Sequence, residues 1–278
     1  MNSKIFLESE AKTRGELRIS RANVAKARRA SHLHQAAVDA TSAPLKRIHV
    51  WDLPLRVFHW ALVAAVTVAI VTGELGGSLM EIHGKAGLAI VGLVVFRLVW
   101  GLIGSSNARF INFAPTAAKL RTYLRGRWKG HGHNPLGALS VFALLALLAV
   151  QAGSGLFGND DIAFTGPLYA LVDEAIAGRL TGLHRQLANV LLALLVLHIV
   201  AILIYLRVKK DNLIKPMVTG WKDVRSGESS NKGSVAALLV ALAAAAAAVW
   251  FASGASWHKD VPAAAPAATQ QQSATSAW

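Results

Sequence analysis

The chain has 278 residues, of which 54% are hydrophobic and only 16% charged, with a formal net charge of +14. A soluble domain carries about 25% charged residues. Sparse charge of one sign excludes a nucleic-acid protein with a basic face and fits a membrane protein whose Lys and Arg crowd the loops. The sequence contains no cysteine, which excludes disulfides, thiolate zinc sites, cysteine-ligated iron–sulfur clusters and covalently attached c-type haem. Ten histidines remain for metal chemistry.

Residues 1–48 are basic and polar, with Arg14, Arg18, Arg21, Lys26, Arg28 and Arg29 among scattered apolar positions. No apolar stretch of signal-peptide length interrupts them, so they are expected to form a cytoplasmic arm, disordered or surface-associated. A membrane span needs about 20 mostly apolar residues. Five stretches qualify: 56–75, 85–104, 136–157, 183–206 and 235–252. The fourth carries His184, Arg185, Gln186, Asn189 and His198 around a continuous aliphatic middle, and the fifth is dominated by alanine. The stretch 105–135 has Arg109, Lys119, Arg121, Arg125, Arg127 and Lys129 and no acid, and 207–233 is also basic. Glu74, Glu81, Asp160, Asp161, Asp173 and Glu174 fall in the alternate loops. Sorting by sign puts the N-terminus in the cytoplasm and the tail, 254–278, in the periplasm.

Spans in hydrocarbon satisfy their backbone as helices, and polar side chains within them are costly and usually functional. Four histidines fall in or at the ends of spans: His59, His83, His184 and His198. His184 and His198 are fourteen residues apart, which on a helix is an offset of roughly −40° and a rise of about 21 Å, so they share a face near opposite leaflets. Matching depths pair His83 with His184, and His59 with His198. A zinc site wants three or four ligands converging at one depth. Two imidazoles per tier suit axial ligation of haem iron in a helix bundle, with both axial positions filled, and so electron transfer over oxygen binding.

The strings around these residues carry a resemblance. Val50-Trp51-Asp52-Leu53-Pro54-Leu55-Arg56-Val57-Phe58-His59-Trp60, Ile82-His83-Gly84-Lys85-Ala86-Gly87, and Phe96-Arg97-Leu98-Val99-Trp100-Gly101 with Gly104-Ser105 are similar to bacterial cytochrome b561 proteins. They are similar too to the related b-type cytochrome subunits of nickel–iron hydrogenases. Ala108-Arg109-Phe110, Gly132-His133-Asn134-Pro135-Leu136-Gly137 and Leu183-His184-Arg185 through His198 continue the match in order, over about 48–222. The resemblance implies a four-helix membrane core holding two haem b groups, with His59, His83, His184 and His198 as axial ligands. It also implies exchange of electrons with quinone and with a periplasmic redox protein, such as a cytochrome c or a hydrogenase subunit. The basic arm and the fifth span lie outside it.

Arg97, near the cytoplasmic end of the second span, is expected either to meet a haem propionate or to snorkel to the headgroups. Lys85 and Arg185 are candidates for propionates at the other end. His133-Asn134-Pro135 reads as a helix start, with a proton-handling or quinone role for His131 or His133 as the alternative. Trp51, Trp60, Trp100, Trp221 and Trp250 are expected at the interfaces, and 115–129 as an interfacial helix. The expectation is therefore an all-α polytopic bundle in the bacterial inner membrane: residues 49–222 a di-haem domain and 223–253 a linker with a fifth span. It works as a quinone-linked electron carrier. A stand-alone oxidoreductase acting on a small species such as superoxide, and a haem-free transporter, are the alternatives.

Overall fold

In the computed structural model, residues 44–257 are described apart from 129, 131, 163 and 226, together with residues 23, 24, 26, 28–32 and 35. Most of the N-terminal arm, the tail beyond 257 and His131 lie outside the described residues. The chain divides into two compact units, residues 1–48 with 222–228, and residues 49–221 with 229–278. In the first, the described residues between 23 and 35 are helical and exposed. Strand β1 (Lys46–His49) pairs with β2 (Trp221–Val224) in a two-stranded sheet whose buried residues are Ile48 and Val224.

The second unit is built on helices. They are α1 (Leu53–Leu75), α2 (Met80–Ile103), α3 (Phe110–Phe113), α4 (Ala117–Leu124), α5 (Pro135–Gly155), α6 (Glu174–Arg207), α7 (Ile214–Thr219) and α8 (Val235–Ala252). Three of the long helices begin at a side chain that caps them. Asp52 Oδ1 accepts the Leu55 amide before α1, Asn134 Oδ1 accepts the Gly137 amide before α5, and Ser234 Oγ accepts the Ala237 amide before α8. Pro54 and Pro135 sit in first turns, where the missing N–H has no partner to lose. α4 covers only part of the expected interfacial stretch, because the chain turns out of the helix at Gly126 with φ of 69°.

Among the described residues, α1, α2 with its preceding turn, α5, α6 and α8 are long and apolar enough to cross a membrane. All five expected spans are therefore helices. α6 starts nine residues before the expected span, at Glu174, because the polar turns ahead of the hydrocarbon continue the same helix. α2 packs on α1, α5 and α8, and α5 packs on α6. Val66, Ile90, Val94, Leu145, Leu148, Ala152 and Leu191 from α1, α2, α5 and α6 form one buried cluster. Outward aliphatic residues such as Val196 and Leu197 on α6 stay exposed, as a face meeting lipid does. α8 lies against α2 through small residues: Ala237 and Ala241 are buried, and a Cβ on Gly92 would stand 2.7 Å from Val249 Cγ2.

Two of the expected belt tryptophans are enclosed by protein. Trp51 and Trp100 are buried, and Trp100 donates its indole N–H to Asp52 Oδ2 at 3.0 Å. A hydrogen-bond acceptor buried nearby satisfies the indole without water. Trp60, Trp221 and Trp250 are exposed, as expected.

Candidate functional site

The bundle has two polar tiers. At the end that carries the acidic loops, the His83 and His184 rings lie 5.9 Å apart between centroids, with planes 83° apart. Two imidazoles on opposite sides of one metal ion have ring centres about 6 Å apart, given metal–nitrogen bonds of about 2 Å. His83 Nδ1–H donates to the Ala69 carbonyl at 2.8 Å, and His184 Nδ1–H to the Gln151 carbonyl at 2.8 Å. A carbonyl only accepts, so each bond fixes the tautomer that leaves Nε2 with a free lone pair. Gln151 also holds the α6 backbone, its Nε2 donating to the His184 carbonyl at 3.1 Å.

A cavity of about 540 Å³ opens between α1, α2, α5 and α6, with both rings on its wall. That lies within the range of about 300–1,000 Å³ usual for cofactor pockets. Val66, Ile90, Leu148 and Leu191 line its depth, and Glu74, Asp160 and Arg185 its mouth. Glycines make room for the rings. A Cβ on Gly73 would lie 2.9 Å from His83 Nδ1 and one on Gly155 2.9 Å from His184 Cε1. Lys85 points elsewhere, bonded to Glu81 Oε1 at 2.7 Å on an exposed turn.

The second tier, at the end carrying the basic loops, contains His59 of α1 and His198 of α6. His198 Nδ1 is 3.4 Å from Ser140 Oγ, and His59 Nδ1 is buried with no hydrogen-bond partner among the described residues. Arg97 belongs to the same end. It is 2% exposed, its guanidinium over the Phe110 ring at 4.4 Å, and Nη1 and Nη2 have no partner among the described residues. It does not snorkel. A buried guanidinium with two unused nitrogens is costly unless an acceptor meets it, and a haem propionate is an acceptor of the right charge.

His133 completes this end. Its ring stacks against Phe113 at 4.3 Å and Trp51 at 4.5 Å, and its buried Nδ1 has no partner among the described residues. Burial, with the charge of Arg97 as the smaller cause, pushes its pKa down to about 3. Asn134 and Pro135 make the helix start expected of them. Nothing in the sequence marks Gly73 or the Ala69 and Gln151 carbonyls as part of the site, because a ring's space and a backbone acceptor have no residue-type signature. Nor does anything in it mark the Phe110–Phe113 cover on Arg97, which the short α3 supplies.

No group of three or more His, Asp or Glu side chains among the described residues could hold a bare metal ion. His83 and His184 form a pair on the wall of the cavity. The sequence matches the family model for prokaryotic cytochrome b561 over residues 50–220. The chain belongs to the prokaryotic cytochrome b561 family. Its relatives include the "Probable Ni/Fe-hydrogenase 1 B-type cytochrome subunit" of Escherichia coli (strain K12), 22% identical over 223 residues, covering 66% of this chain and 94% of that one. The "Probable Ni/Fe-hydrogenase B-type cytochrome subunit" of Azotobacter vinelandii is 27% identical over 221 residues, covering 63% and 88%. No solved structure matches the chain. Membership makes this multi-pass membrane protein a b-type electron-transfer cytochrome and implies haem b, which the paired imidazoles, the cavity and the unused Arg97 nitrogens fit. α8 lies beyond the family match.

Proposed function

We propose that this cytochrome carries electrons across the bacterial inner membrane on two haem b groups, one held by His83 and His184 and one by His59 and His198. The observation that carries the reading is the 5.9 Å spacing of the His83 and His184 rings beside a cavity of their own. Haem b bound by these histidines would supply reversible one-electron iron chemistry. The chain's own residues do the rest. The Ala69 and Gln151 carbonyls orient the ligands, the aliphatic lining excludes water and sets the local dielectric, and Arg97 offers its free nitrogens to a propionate of the second haem.

The basic loops at the His59–His198 end face the cytoplasm, together with the N-terminus, and the tail faces the periplasm. Electrons pass between a periplasmic redox protein and membrane quinone. The names of the relatives favour a hydrogenase-like dehydrogenase as that partner. Haem quantification and the reduced-minus-oxidised spectrum of the purified chain test this. Two haem b per chain are expected, one lost in His83→Ala or His184→Ala and the other in His59→Ala or His198→Ala. A single haem, or full haem in all four variants, overturns it.

A further inference from the structure

One polar assembly belongs to neither histidine pair. At the basic end the Tyr123 and Tyr205 hydroxyls hydrogen-bond to each other, joining α4 to the last turn of α6. Lys209 Nζ donates to Tyr123 Oη at 3.3 Å, and the ammonium lies over both rings, 5.3 Å from that of Tyr123 and 5.0 Å from that of Tyr205. Asn134 Nδ2 donates to Tyr205 Oη at 2.8 Å, while Asn134 Oδ1 is committed to the Gly137 amide. Lys209 is exposed, and both phenols and Asn134 are half-buried. The string thus runs from the aqueous surface to the residue next to His133.

Counting hydrogens leaves the string one proton to give. Lys209 and the Asn134 amide can only donate here, so both phenol oxygens are acceptors. One phenol O–H makes the bond between the tyrosines, and the other is left without an acceptor among the described residues. When Tyr123 is the donor to Tyr205, the spare O–H is on Tyr205, at the inner end.

We propose that Lys209, Tyr123 and Tyr205 form a proton relay that serves quinone reduction at the basic end of the bundle. This rests on the quinone-linked reading above. Reduction of a quinone to its quinol takes up two electrons, which the cytochrome delivers, and two protons, which membrane lipid cannot supply. In each proton step the Tyr205 O–H proton passes to a quinone oxygen. The Tyr123 proton moves to Tyr205, Lys209 restores Tyr123, and water reprotonates the Lys209 amine.

The test uses the full-length, haem-loaded chain, chemically reduced and mixed with a water-soluble short-chain quinone, while haem reoxidation is followed by stopped-flow absorbance. Ferricyanide, which takes an electron and no proton, is the control oxidant. Tyr205→Phe and Tyr123→Phe keep the rings and remove the hydroxyls. Each is expected to slow reoxidation by quinone about 100-fold, the scale of a lost general acid, to change its solvent deuterium isotope effect, and to leave ferricyanide oxidation and the haem spectrum unaltered. A quinone rate and isotope effect equal to wild type in both variants overturns the relay while leaving the quinone reading in place. A wild-type chain that ferricyanide reoxidises and quinone does not overturns the quinone reading, and the relay with it.

Discussion

The His184 ring stands where a side chain on Gly155 would be: Cε1 lies 2.9 Å from the position of a Cβ, on the helix whose Gln151 carbonyl accepts the Nδ1–H bond. One turn of α5 therefore both makes room for the ring and aims it. Gly73 on α1 does the same for His83, four residues after the Ala69 carbonyl that holds its Nδ1–H. Gly155→Ala and Gly73→Ala are accordingly expected to displace a ligand ring and to lower haem content by one group per chain, as His184→Ala does. Haem quantification and the low-spin electron paramagnetic resonance signals report it. Two haems with unshifted signals in both glycine variants would show that the rings are not held as ligands.

Arg97 supplies a prediction about potential. A cation beside a haem stabilises the reduced form, which has one positive charge fewer. Arg97→Met keeps the volume of the stem and removes the charge. It is expected to lower the midpoint potential of one haem and leave the other unchanged, in a redox titration followed by absorbance. Arg97→Lys retains the charge without the fork and should fall between. Two unchanged potentials in Arg97→Met would remove the guanidinium from the neighbourhood of either haem.

His133 makes stability depend on pH. Its pKa is near 3 in the folded protein, while an unfolded histidine titrates near its ordinary value of 6.5. Between those values the unfolded chain binds a proton that the folded chain does not, so stability rises with pH across that window and is lost on acidification. His49, lowered by burial and by Arg56, acts with the same sign. The thermal unfolding midpoint should drop from pH 7 to pH 4, and His133→Gln should flatten the dependence. A variant with the same slope as wild type would place the acid sensitivity elsewhere.

The α2–α8 seam can be overfilled without touching the cavity, since no α8 residue lines it. Ala241 is completely buried, and Gly92 faces Val249 Cγ2. Ala241→Leu or Gly92→Val should cost about 1–3 kcal/mol through overpacking, seen as a lower unfolding midpoint with haem content intact. A midpoint equal to wild type would mean that α8 does not hold this seam.

Much of this was readable in one dimension. The five helices follow from runs of apolar residues, because a chain in lipid has no solvent for its backbone and must close its hydrogen bonds within each span. Asp52, Asn134 and Ser234 mark helix starts through bonds that reach only three residues. His184 and His198 share a face because helical rotation is a local property, and the sign of each loop is a matter of composition. These features are written in near neighbours.

The tertiary structure decided what depends on residues far apart in the chain. His83 meets His184 across a helix pair, Arg97 is lidded by Phe110 and Phe113 when it could have reached for water, and Trp51 and Trp100 are drawn inside by their partners. The placement of α8 on the Gly92 face, and the joining of Tyr123 to Tyr205 across 82 residues, follow the same logic. Which side chain fills a space, and whether a buried polar atom finds a partner, are settled by packing between helices, and no local pattern encodes them.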